Sequence, residues 1–130
     1  MAIFGIGAYY DRDVSGEFVA SGIAGPGWSE AEAPELHQFI QSLKVGDIVY
    51  LKSFAPSSPD ILIKAIGIVA DQHLVKDKPI VSAGRNVRWV VTQELRLPKP
   101  DERLNVRLNT MYEEFNPIVQ KAVIDRLFGT

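Results

Sequence analysis

Across Ala2 to Tyr10 the chain alternates Ile3, Gly5 and Gly7 with Phe4, Ile6 and Ala8, a period of two that predicts a strand with one bare face. Two glycines on one face leave room for another backbone or a bulky ring. Asp11 to Gly16 has the composition of a turn, and Glu17 to Ala24 reads as a second strand, so an opening hairpin is expected. Leu36, Phe39, Ile40 and Leu43 then fall at i, i+3, i+4 and i+7, one apolar helical stripe closed by Gly46. Its start is either a capping box at Ser29 and Glu32 or the helix-initiating Pro34. Asp47 to Ser53 and Ile61 to Ala70 are Ile/Val-rich strands joined by a Pro/Ser loop, and residues 71–84 read as a further loop. Arg85 to Glu94 is a strand with Val87, Trp89 and Val91 on one face and Asn86, Arg88 and Val90 on the other. Arg103 to Leu108 suggests a short last strand. Asn116 before Pro117 marks the N-cap of a closing helix through Phe128.

Five or six short strands with one helix after the second and one at the end predict an α+β fold: a small, strongly curved sheet or barrel with helices at its rim. At 130 residues the chain has room for one domain and one core. An apolar share of 46% and a charged share of 23% are ordinary for a soluble globular protein. No apolar run approaches the ~18 residues of a membrane span, and a cytoplasmic setting is expected. With no cysteine there is no disulfide, thiolate metal site or cysteine nucleophile.

The net charge of −2 conceals a segregation. Residues 1–43 hold one basic and six acidic residues, residues 44–108 eleven basic and seven acidic, and the remainder sums to −1. A uniformly basic nucleic-acid binder is thereby excluded, while a basic patch on the middle strands stays open. No nucleophile elbow and no phosphate-binding Gly-x-x-x-x-Gly-Lys loop is present, and Ser57-Ser58 has no nearby histidine, so catalysis is not expected. Asp11 and Asp13 fit a turn better than a cation site, and His37 and His73 lack zinc-pair spacing. No metal or cofactor is anticipated.

Gly25-Pro26-Gly27-Trp28, then the amphipathic helix, then Lys44-Val45-Gly46-Asp47-Ile48-Val49-Tyr50, Ala65-Ile66-Gly67-Ile68-Val69 and Arg85-Asn86-Val87-Arg88-Trp89-Val90 occur in that order. Over residues 20–92 this ordered set resembles the PUA-like superfamily, and in particular EVE-type domains and the reader domains of Mrr- and McrB-type restriction proteins. The chain departs from EVE domains in lacking their Tyr-Trp opening. The resemblance implies a mixed β pseudobarrel that binds DNA or RNA, in some members by taking a flipped or modified base into an aromatic pocket.

Trp28, a large aromatic on a tight turn before a helix, is the candidate stacking wall; the other reading is a ring that plugs the barrel end. Tyr50 and Phe54 flank the Pro/Ser loop and could supply a second wall, though Tyr50 is as readily a half-buried strand residue. Arg85, Arg88, Lys64 and Lys52 are candidate phosphate contacts, or simply solvated charges on an outward face. Trp89 is assigned to the core, with an indole N–H that needs a partner. The expected function is a non-catalytic nucleic-acid-binding module. The alternatives are a small-molecule or nucleotide sensor using the same pocket, and a homodimeric protein-interaction module.

Overall fold

The computed structural model describes residues 1–8, 14–27, 31–54, 60–76, 78, 81–98 and 111–129, with Phe54 described by its backbone only. The element order is β1 (Ile3–Gly7), α1 (Ser15–Ser21), β2 (Ile23–Ala24), α2 (Pro34–Ser42), β3 (Ile48–Phe54), β4 (Ile61–Lys76), β5 (Ala83–Val91), β6 (Leu95–Leu97), β7 (Met111–Glu113) and α3 (Pro117–Phe128). The expected hairpin at the start is absent, because its second arm is the helix α1. Phe18 is fully buried, and Gly22, at φ +65°, ends the helix by donating its N–H to the Phe18 and Val19 carbonyls.

α2 begins at Pro34, the second of the two starts the sequence allowed. Leu36, Ile40 and Leu43 are buried, and Phe39 meets Phe4 edge-on at a centroid distance of 6.1 Å. At α3 the Asn116 side chain accepts from the N–H groups of Ile118 (2.9 Å) and Val119 (3.3 Å), with Pro117 at the first helical position. The expected strand at Arg103 to Leu108 lies outside the described residues.

Seven strands form one sheet in the order β2-β5-β4-β3-β1-β7, with β6 added beside the start of β4. β1 and β3 run parallel, and every other pair is antiparallel. Among the described residues no pairing joins β2 to β7, so the sheet is open. β4 runs on to Lys76, through residues whose polarity suggested a loop, and pairs again with β5 from Leu74 opposite Arg85.

Besides the break between Val69 and Leu74, two irregularities redirect side chains. Leu51 pairs with Ala65 but Lys52 with Ile63, which leaves Lys64 as the extra residue of a bulge. Likewise Ile66 pairs with Val91 and Gly67 with Trp89, so Val90 is extra. The strict alternation expected for Val87, Trp89 and Val91 therefore breaks, and Val91 packs on the face opposite the other two.

The sheet has a core on each side. On one, Phe4, Ile6, Val49, Leu51, Ala65 and Val87 pack under Phe18 of α1 and Leu36 and Ile40 of α2. On the other, Ile3, Ile48, Tyr50, Ile63, Ile66 and Tyr112 pack under Val119 and Val123 of α3. The helices thus cover opposite faces of the sheet rather than its rim. Each fully buried aliphatic side chain contributes ~1.5–3 kcal/mol to this arrangement. Among the described residues no helix is long and apolar enough to cross a membrane.

Candidate functional site

The turn ahead of Trp28 is held from three sides. A Cβ on Gly25 would run into the Ala83 carbonyl oxygen and lie 2.7 Å from Gly84 Cα, and one on Gly84 would lie 2.8 Å from the Ala24 carbonyl oxygen. Only paired glycines let these two backbones touch. The Pro26 carbonyl accepts from the Ser82 N–H at 3.0 Å and from its hydroxyl at 3.3 Å. His37 of α2, itself buried, places Nε2 3.0 Å from the same hydroxyl oxygen. With the hydroxyl proton given to Pro26, His37 is the donor in that contact. Gly25 and Pro26 are thereby tied to β5 and α2 through backbone and side chain. Trp28 itself lies outside the described residues, as do Tyr9, Tyr10, Asp11 and Asp13.

Of the other sequence-derived candidates, Arg85 is a correction. Its side chain is 3% exposed and its guanidinium donates to the carbonyls of Ile40 (3.2 Å), Leu43 (2.5 Å) and Asp71 (2.6 Å). A cation at the C-terminus of α2 satisfies orphan carbonyls and opposes the negative end of the helix dipole. It is a clamp between helix and sheet rather than an exposed cation. The alternation had the signal: Arg85 shares its parity with Val87 and Trp89, which face the α1/α2 core. Beside it, the Asn86 side chain and the His73 N–H donate to the Asp71 carboxylate and hold its pKa below the ordinary value.

Tyr50 is likewise enclosed, on the α3 side of the sheet, and forms no surface wall. Tyr50 and Arg85 therefore sit on opposite faces and share no pocket. Lys64 occupies the β4 bulge with its ammonium 2.7 Å from Glu94 Oε1. Arg88 is exposed, opposite Ile68. Phe54 pairs with Ile61 through its backbone, and its side chain is outside the described set. Trp89 is half-buried, and its indole N–H finds the Phe18 carbonyl at 3.1 Å.

The fold also gathers a buried polar cluster that the sequence reading did not assemble. Gly5 sits between Tyr112 and Tyr50 in adjacent strands. A Cβ there would lie 2.5 Å from Tyr112 Cζ, so the glycine is what lets that ring lean across β1. This is the bulky ring for which the bare face left room. The two phenols meet at 2.8 Å, and the Tyr50 hydroxyl donates to Glu114 Oε1 at 2.7 Å. Glu114 is 2% exposed, and its other oxygen accepts the Asn116 N–H at 3.1 Å. Lys52, expected on the surface, is buried with its ammonium 5.0 Å from the centre of the Tyr112 ring. Burial first, then the charges of Tyr112 and Glu114, push the Tyr50 phenol well above its usual pKa. Lys52 lies two residues from Tyr50 and beside Gly7, so its face was legible; Tyr112 and Glu114 came with no motif. Such a network joins β3, β1, β7 and the start of α3 into one unit. Among the described residues no group of His, Asp and Glu side chains could hold a metal ion.

Compared with known proteins, the chain matches no family profile and no curated sequence. Among solved structures it is similar to the NMR structure of Rpa0253 from Rhodopseudomonas palustris, a structural-genomics target. The TM-score is 0.55 at 12% sequence identity, over 98% of this chain and 94% of that one. At that identity the likeness is one of fold.

Proposed function

We propose that the chain is a nucleic-acid-binding module of PUA-like character that takes a base, flipped or modified, against Trp28. The observation that carries the reading is the anchored turn. Gly25 is fixed by close backbone contact with Ala83 and Gly84, and Pro26 by the Pro26–Ser82–His37 hydrogen bonds, so the turn two residues ahead of Trp28 is a rigid support. A stacking platform binds best when its geometry is set in advance. With Arg85 committed to α2, the exposed Arg88 is the phosphate contact that remains, and Lys64 would have to leave Glu94 to join it. One or two phosphate contacts on a chain of net charge −2 favour single strands or weakened duplexes, where unstacking costs least.

The test is fluorescence anisotropy with labelled single-stranded and duplex oligonucleotides, methylated and unmethylated, at two salt concentrations. Stacking contributes ~1–3 kcal/mol per base, so Trp28→Ala is expected to weaken binding by about 5- to 150-fold. Arg88→Ala is expected to flatten the salt dependence by the equivalent of one phosphate. No binding by the wild type at 100 µM (~100-fold above a micromolar affinity), or equal binding by Trp28→Ala, overturns the reading.

A further inference from the structure

α3 is apolar on both sides. Val119 and Val123 enter the core, yet on the outer side Ile118 is 68% exposed, Ile124 37% and Phe128 56%, with Phe115 just before the helix at 68%. A helix that carries large apolar side chains outside as well as inside offers a second surface for cover. An aromatic ring accounts for about 150–250 Å², so these exposures leave roughly 400 Å² of apolar surface on and just before one helix, the size of the largest patch on a typical soluble monomer, which is often a functional one.

The spacing of the outer face names the occupant. Ile118, Lys121, Asp125 and Phe128 follow a 3-4-3 interval and, at about 100° per residue, lie within an arc of about 80°. That is one coiled-coil seam with apolar ends and an opposite-charge pair in the middle. Ile118 and Phe128 are equidistant from Val123, and so are Lys121 and Asp125. An antiparallel copy of this helix would therefore place Ile118 against Phe128 and Lys121 against Asp125 in both directions. A parallel copy would set Lys121 against Lys121 and Asp125 against Asp125. Lys121, with 76% of its side chain exposed, already pairs with Asp125 in its own helix, so exchange between copies keeps the same chemistry.

We propose that the outer face of α3 is a twofold interface through which a second copy of this chain packs antiparallel, with the dyad near Val123. Two such faces remove about 800 Å² of apolar surface, and the polar rim brings the total near the ~1,200 Å² at which specific interfaces begin. The interface is independent of the nucleic-acid reading, since it uses none of that site's residues.

Sedimentation equilibrium of the wild type should show a dimer at micromolar concentration. Ile118→Asp should be monomeric with unchanged circular dichroism. Lys121→Glu should weaken dimerisation at least tenfold, and Lys121→Glu with Asp125→Lys should restore it. Because the chain has no cysteine, the register can be read directly. A mixture of Ile118→Cys and Phe128→Cys chains should form a disulfide-linked heterodimer under mild oxidation, while neither alone cross-links efficiently. A wild type that stays monomeric at 100 µM (~100-fold above the expected dissociation constant) overturns the proposal. So does a Lys121→Glu chain that dimerises as before, or cross-linking of Ile118→Cys to itself in preference to Phe128→Cys.

Discussion

Replacing Arg85 by methionine keeps the aliphatic stem and removes the guanidinium that joins α2 to β4 and β5. Three hydrogen bonds are lost, to Ile40, Leu43 and Asp71. Bonds to a charged group contribute ~1.5–3 kcal/mol each, which sets the gross loss at roughly 4–9 kcal/mol. Against this stands the desolvation of a buried cation, several kcal/mol that the variant no longer bears. Three carbonyls, two of them at a helix end, are left without that donor. The net expected loss is ~2 kcal/mol, or a fall in Tm of about 8 °C for a chain of this size. Urea unfolding followed by circular dichroism, with calorimetry alongside, measures both. The slope with denaturant should stay constant, because the surface exposed on unfolding barely changes. Affinity for an oligonucleotide should keep its salt dependence. A variant within about 0.5 kcal/mol of wild type, with a flattened salt response, would refute the clamp and return Arg85 to the phosphate contacts.

Two further perturbations test the buried cluster. Tyr50→Phe removes a donor from the Glu114 carboxylate and should cost ~1–3 kcal/mol in urea unfolding. It should also change the alkaline limb of stability. An unfolded tyrosine titrates near ~10, and the folded value of Tyr50 is raised, so its contribution is whole below that pH and is lost as pH rises through the folded value. Phenolate absorbance should show Tyr50 ionising only as the wild-type fold is lost, and Tyr50→Phe should take one phenol's absorbance out of that step. Gly5→Ala drives a methyl into the Tyr112 ring and should cost ~1–3 kcal/mol. Adding Tyr112→Leu should recover part of that cost; strictly additive losses would show that the ring and the glycine are not coupled.

Much of the fold can be read from the chain where local signals agree. The α2 stripe and the Asn116–Pro117 start of α3 are of this kind, since cap, proline and periodicity point the same way. α1 is not. Its seven residues hold the apolar trio Phe18-Val19-Ala20, which reads equally as strand, and what decides is the burial of Phe18 in the α1/α2 core. The far half of β4 was hidden for another reason. Asp71, Gln72 and His73 are polar because they are exposed, while their backbone remains in the strand. β6 and β7 are three residues each, too short for a period to register. For the site, the Gly25–Gly27 turn is visible as turn chemistry, but its Ser82 anchor lies dozens of residues away in sequence and the His37 that holds Ser82 sits on another element. Arg85 shows the cost of reading charge before parity. Its charge suggests a surface group, while Val87 and Trp89, two and four residues on, face inward.

Proposed base recognition depends on Trp28, and the chain has only one other tryptophan, Trp89. In the single-tryptophan variant Trp89→Phe, titration with a short single-stranded oligonucleotide should quench and shift the remaining indole emission along the same isotherm that anisotropy reports. Emission that stays constant while the oligonucleotide demonstrably binds would contradict it.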